Sequence, residues 1–73
     1  MTRPSGSRAL HAALLLSIPR LLRAIKNERA AESDYAAYDG PASWAALCAA
    51  REATDLAMKD VRSLTSACRR AAS

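Results

Sequence analysis

The strongest constraint on the fold is a stop signal for helices near the middle of the chain, the tripeptide Asp39-Gly40-Pro41. Glycine permits the left-handed backbone turn that closes one helix, and proline suits the first turn of the next. We therefore expect one helix to end at Tyr38 and a second to begin at Pro41. If Gly40 takes a left-handed conformation, a β-branched residue there should cost about 1–2 kcal/mol.

On both sides of this signal the sequence has the composition and the period of long helices. Alanine and leucine dominate the 73 residues, phenylalanine is absent, and only two glycines and three prolines occur. Few residues are of the β-branched kind that favours strands. The sequence predicts an all-α protein with helices at about 8–38 and 41–71. Apolar residues of the first helix recur at helical spacing, at Leu10, Leu14, Ile18, Leu21, Leu22 and Ile25.

The first helix contains Pro19, and the sequence leaves two alternatives there. Either the helix is kinked at Pro19, or it is broken and Ser17 caps a second helix with the proline in its first turn. Residues 1–6 are polar and rich in helix breakers, so we expect a flexible N-terminal arm, with Ser7 as the N-cap of the first helix. Residues 7–73 then form a single α-helical hairpin domain.

A short turn between arms of equal length predicts antiparallel packing. Folding the chain about Asp39-Gly40 places residues opposite each other when their numbers sum to about 79. Apolar residues then face apolar ones, and Arg51 faces Glu28. Glu28, Glu32 and Arg51 are expected to supply an ion pair that sets the register, with a polar pocket as the alternative. The expected pairs are Tyr35 with Trp44, Glu28 with Arg51, Ile25 with Thr54, Leu21 with Met58, Ile18 with Val61, Leu14 with Thr65 and His11 with Cys68.

The two helices carry more apolar surface than one hairpin needs. A chain of this size buries only about 60% of its unfolded surface, and packing as a hairpin uses one apolar stripe per helix. A second, thinner stripe on the second helix and extra leucines on the first therefore predict a four-helix homodimer. The expected interface residues are Leu15, Leu16, Ala45, Ala49, Leu56, Ser63 and Ala67.

The candidate partner-binding residues fall into two groups. The chain has a net charge of +4, and the basic arc, defined as Arg20, Arg23 and Lys26, lies opposite the apolar stripe of the first helix. The arc suits a solvated face, an acidic protein, nucleic acid or a membrane surface, although no aromatic residue is interleaved with it as in nucleic-acid grooves. Near the turn, Tyr35 and Tyr38 are candidate anchors. Trp44 is expected to cap the end of the core, and Tyr38 to be the most exposed of the three aromatics.

No combination of residues predicts catalysis, a metal site or a cofactor. His11, Cys48 and Cys68 lack the local spacing of structural metal sites, and a thiolate–imidazole pair would need an orienting group and a pocket. The cysteines are about 30 Å apart in one helix, too far to form a disulfide. We therefore expect free thiols and a cytoplasmic protein. The apolar run near the N-terminus is shorter than the ~20 residues of a membrane span.

In size, in its alanine- and arginine-rich composition and in its two-helix layout, the chain resembles the short helical proteins with which bacterial viruses inactivate host regulators, such as phage quorum-sensing anti-activators. This resemblance covers the whole chain without a diagnostic residue, so no functional position is carried over. It implies a non-enzymatic module that binds and inhibits a partner protein in the host cytoplasm. The alternative is a small basic protein that binds nucleic acid or modulates transcription.

Overall fold

A computed structural model describes the backbone of residues 4–72 and the side chains of residues 8–72. Two helices account for nearly all of this range, α1 at Pro4–Ala37 and α2 at Pro41–Ala72, and the described residues contain no strand. The helices pack against each other in antiparallel orientation. The predicted all-α hairpin is confirmed.

Helix α1 runs unbroken through Pro19. The alternative in which Ser17 caps a new helix is therefore wrong, and the kink at Pro19 stays a prediction. Proline has no N–H to donate to the Leu15 carbonyl, so one bond of the helical ladder is missing. Ser17 is buried, and its hydroxyl donates to the Leu14 carbonyl at 2.6 Å. This bond gives the buried hydroxyl a partner within its own helix.

Helix α1 also begins earlier than the sequence predicts. Its first residue is Pro4, so Ser7 lies inside the helix and is not its N-cap. Residues 4–6 of the expected N-terminal arm are helical, and residues 1–3 lie outside the described part of the chain.

Three backbone hydrogen bonds build the turn. The Tyr38 N–H donates to the Asp34 carbonyl at 2.7 Å, and the Gly40 N–H donates to the Tyr38 carbonyl at 2.9 Å. The Trp44 N–H donates to the Gly40 carbonyl at 2.9 Å, which is the first helical bond of α2. Gly40 is therefore the N-cap residue of α2, and Pro41 occupies its first helical position as expected.

The left-handed conformation predicted for Gly40 is wrong, because no described glycine has a positive φ. The chain reverses through the three-residue turn centred on Asp39, and a residue before proline favours extended backbone. A Cβ built on Gly40 would have no atom within 4 Å. The loss of stability predicted for a β-branched residue at Gly40 therefore has no structural basis, since neither a left-handed backbone nor a steric clash opposes a side chain there.

The predicted register is confirmed to within one residue at the turn and in the middle of the hairpin. Near the turn, the rings of Tyr35 and Trp44 have centroids 5.4 Å apart, with planes tilted by 52°. In the middle, the Thr54 hydroxyl reaches the Ala24 carbonyl across the interface at 3.3 Å. At the far end, one cleft brings together the predicted neighbours Leu14 with Thr65 and His11 with Cys68.

The prediction that Arg51 lies beside Glu28 is wrong, because its partner is Glu32, one helical turn further along α1. Arg51 Nη2 lies 3.8 Å from Glu32 Oε2, rather than beside Glu28, and both side chains of the pair are about half exposed. Residues four apart occupy the same face of a helix, so a long arginine side chain can reach either glutamate without a change of register. An exposed pair of this kind contributes at most about 1 kcal/mol.

The hairpin has very little core. Among the described residues only Ala31, Leu47 and Ser17 are buried, and Leu47, at 3% exposed, is the most enclosed. The molecule is a rod of 59 × 14 × 14 Å with a radius of gyration of 16.7 Å, against about 11 Å for a compact chain of this length. Its surface of 5729 Å² exceeds by far the ~4,400 Å² of a compact monomer of its mass.

Candidate interaction surfaces

The exposed leucine, isoleucine and methionine side chains of the described residues divide between two long faces, one on each side of the plane through the helix axes. The leucine face consists of Leu15, Ile18 and Leu22 on α1 and Met58 on α2, all exposed. The three α1 residues are three or four positions apart and therefore share one side of the helix. Met58 shares that side because it precedes Thr65 by two helical turns, and Thr65 lines a cleft beside Leu15.

This cleft extends the leucine face at the open end of the hairpin, away from the turn. It has a volume of about 700 Å³ and walls that are mostly apolar. Leu14 and Leu15 line it from α1, and Thr65 and Cys68 line it from α2. His11 also lies in the cleft, so it and Cys68 are brought together as the register predicts. The cleft and the leucine face are adjacent because Leu15 belongs to both, and together we call them the groove.

The border of the leucine face is positively charged. Among the described residues, helical positions place exposed Lys26 and Arg62 beside the face, exposed Arg8 and Arg29 at its two ends, and the exposed carboxylates of Asp55 and Glu32 on the same side, while the exposed Arg69 lines the cleft. Arg51 also lies on this side, where Glu32 neutralises it. Basic residues therefore outnumber acidic ones on this side of the described chain.

The opposite side of the rod is the alanine face. We define it as six of the seven residues predicted to form the dimer interface: Leu16, Ala45, Ala49, Leu56, Ser63 and Ala67. All are exposed except Ala67, which is partly buried. The seventh, Leu15, lies on the leucine face, because adjacent helical residues point about 100° apart. The structure thus separates Leu15 from the other predicted interface residues.

The two groups of candidate partner-binding residues lie apart from each other. Arg20, Arg23 and Lys26 of the basic arc are all exposed along the middle of α1. Tyr38 is at the turn and is 74% exposed, which confirms the prediction that it is the most exposed of the three aromatics. Twelve residues separate Lys26 from Tyr38, a distance of about 18 Å along a helix. The arc and the turn are therefore two surfaces rather than one site.

Tyr35 is held in place at the turn. Hydrogen bonding to the Asp39 carboxylate, together with the negative charge of Asp39, raises the pKa of the Tyr35 phenol. Partial burial and the negative charge that Cys48 carries as a thiolate raise that pKa further. The Tyr35 ring also packs against Trp44, which remains about half exposed at the end of the core.

Groups that could carry chemistry are sparse along residues 4–72. No cluster of three or more His, Cys, Asp or Glu side chains in this range could hold a metal ion. Cys48 is exposed and Cys68 partly buried, and both are free thiols. Neither α1 nor α2 combines the length and apolar character that a bilayer-spanning helix requires.

No protein-family model, curated protein or solved structure matches the chain.

Proposed function

We propose that this protein is a dimeric, non-enzymatic interaction module that binds another protein and inhibits it. The observation that supports this proposal is the amount of apolar surface on a rod that has almost no core. Leu16 and Leu56 on one face, and Leu15 and Leu22 on the other, are each more than half exposed. Small proteins rarely leave apolar surface of this extent in water unless a second chain covers it.

The alanine face is the surface we assign to the dimer. Small side chains let helices approach closely, and two hairpins packed together form the four-helix core that one hairpin lacks. The charges around this face are mixed, with Arg20 and Arg23 on α1 and Glu52 and Asp60 on α2, all exposed. Two identical faces of mixed charge can approach without strong repulsion.

The resemblance to phage proteins that inactivate host regulators supports a partner of the same class. Such an inhibitor works in the reducing cytoplasm of the host, where Cys48 and Cys68 would remain thiols. It needs no catalytic group, because occupying a surface that the regulator uses is sufficient for inhibition.

Light scattering on the full chain tests the dimer. At low micromolar concentration we expect about twice the monomer mass of 7.8 kDa, and Leu56→Glu should dissociate the dimer because it places a charge in the alanine face. Leu22→Glu, on the leucine face, is the matched control and should keep the dimer mass. A folded wild-type monomer would refute this part of the proposal. Affinity capture from the native host with mass spectrometry would then identify the partner.

Nucleic-acid binding is the second candidate, and the exposed basic arc is the observation in its favour. For a protein partner, Tyr38→Ala should weaken binding more than Arg23→Ala. An aromatic side chain that the partner buries contributes more to affinity than a charge at the edge of the interface. For nucleic acid the order reverses, and each arginine removed should reduce the salt slope by about one. Circular dichroism must first show that both variants are folded.

A further inference from the structure

The leucine face has the spacing of one side of a coiled coil. His11, Leu15, Ile18, Leu22 and Ile25 follow one another at intervals of four, three, four and three residues. This is the heptad pattern by which one helix accepts another. Ile25 is partly buried and the other four side chains are exposed. The pattern therefore continues along the surface of α1 in a region where α2 does not cover it.

The cleft at the open end lengthens this surface. It continues past Leu15 with mostly apolar walls, so an apolar side chain of a docked helix would find a cavity there. From Arg8 to Arg29 the groove follows about 32 Å of α1. That length matches an occupant helix of about three heptads.

The charge on the border distinguishes between occupants. A second copy docking through this face would bring two positively charged surfaces together, which is unfavourable. A helix with Asp and Glu beside its apolar stripe would instead place carboxylates against Lys26 and Arg62, which flank the stripe. We infer that the leucine face is a docking groove for an acidic amphipathic helix of the partner protein. This inference rests on the proposed function, and it names the surface and the chemistry of the partner.

The test uses the full chain and two labelled peptides of about 21 residues. Both carry leucine at the heptad core positions; one has glutamate at the flanking positions and the other has lysine. Fluorescence polarisation should show that the glutamate peptide binds at least about tenfold more tightly than the lysine peptide. Equal affinities, or no binding of the glutamate peptide, would overturn the inference.

Two leucines of α1 provide a matched pair of variants. Leu22 on the leucine face is 61% exposed and Leu16 on the alanine face is 66% exposed. Leu22→Ala should weaken binding of the glutamate peptide about tenfold and leave the dimer mass unchanged. Leu16→Ala should leave peptide affinity unchanged within about twofold. Equal losses of peptide affinity in the two variants would contradict the assignment to the leucine face.

Charge reversal tests the border separately from the apolar contacts. The double variant Lys26→Glu, Arg62→Glu should weaken the glutamate peptide about tenfold and strengthen the lysine peptide. If the double variant leaves both affinities unchanged, the charge argument is wrong. If a labelled single-stranded oligonucleotide displaces the glutamate peptide from the wild-type chain but not from the double variant, the groove binds nucleic acid and the inference fails.

Light scattering separates the failure of this inference from the failure of the proposed function. If Leu22→Ala converts the dimer to a monomer, a second copy covers the leucine face, so the inference is overturned while the dimer stands. If the wild-type chain is a monomer that still prefers the glutamate peptide, the proposed dimer fails and the docking groove stands.

Discussion

The two ends of the hairpin are packed very differently. Ala31 and Leu47, the buried apolar residues of the described chain, both lie in the half nearer the turn, where the Tyr35 ring also packs on Trp44. The other end opens into a cleft of about 700 Å³. Tight packing beside the covalent connection and loose packing far from it indicate that the turn end supplies most of the hairpin's own stability. The open end retains apolar surface for another chain.

The largest expected effect is that of removing the side chain of Leu47. Leu47→Ala should lower the free energy of unfolding by about 2–4 kcal/mol, because the residue is almost fully enclosed. Leu64→Ala, on the same helix but partly exposed and nearer the open end, should cost about 1 kcal/mol. Urea unfolding at one fixed protein concentration measures both. Equal costs would mean that the two ends are equally well packed.

A pair of threonines compares a hydroxyl that crosses the interface with one that does not. The Thr54 hydroxyl is 3.3 Å from the Ala24 carbonyl on the other helix and 3.1 Å from the Ala50 carbonyl on its own. The Thr65 hydroxyl bonds only within α2, to the Val61 carbonyl at 2.7 Å. Thr54→Val should cost about 0.5–1 kcal/mol, and Thr65→Val close to zero. The same urea experiment decides between them, and a larger loss at Thr65 would contradict this account.

At the turn, a substitution of Gly40 should raise the stability of the fold. As an N-cap residue without a positive φ and with open space around it, it should tolerate Asn, whose side chain can accept a bond from the first turn of α2. Gly40→Asn also restricts the unfolded chain. Stability should rise by about 0.5 kcal/mol, seen as a melting temperature a few degrees higher by circular dichroism. A drop in melting temperature would contradict the assignment of Gly40 as the N-cap of α2.

The smallest effect is a shift in the titration of Tyr35, again at the turn end. Its pKa is raised above the ordinary 10.0, so the bond to the Asp39 carboxylate stabilises the fold below pH 10 and is lost as pH rises through the raised pKa. In Asp39→Asn the pKa of Tyr35 should return toward 10.0. Tyrosinate absorbance measures this, with Tyr35→Phe identifying which of the two tyrosines moves. An unchanged titration in Asp39→Asn would contradict the assigned bond.

The register was predictable from the sequence because two independent signals agree on it. The helix-stop signal at Asp39-Gly40-Pro41 sets the position of the turn, and helical periodicity sets which residues face inward. The Tyr35–Trp44 contact and the shared cleft of His11 and Cys68 follow from these two signals.

Details finer than one helical turn were not predictable. Glu28 and Glu32 lie on one face, so the register does not choose between them as the partner of Arg51. In the dipeptide Gly40-Pro41 the glycine can end one helix or cap the next, and both alternatives have the same sequence signature. The possible break at Pro19 was inferred only from the local cost of a proline inside a helix. Packing of α1 along α2 outweighs that cost, and the helix continues.

The candidate surfaces were predictable in part. The surplus of apolar surface is visible in the sequence, and Leu15, Leu16 and Leu56 are indeed exposed. Their division between two faces is not visible in the sequence. It depends on which side of α1 and which side of α2 lie together once the two helices are packed. Leu15 and Leu16 themselves diverge because adjacent helical residues point about 100° apart.

The two free cysteines have a practical consequence, because they are already at useful positions for distance measurements. Cys48 lies toward the turn and Cys68 toward the open end of the same helix, about 30 Å apart. The variants Cys48→Ser and Cys68→Ser therefore each leave a single thiol for a spectroscopic label. If two copies align in the same direction, each label lies near its counterpart. If they align in opposite directions, Cys48 of one copy approaches Cys68 of the other, so a mixed sample reports the relative orientation of the copies without any introduced residue other than serine.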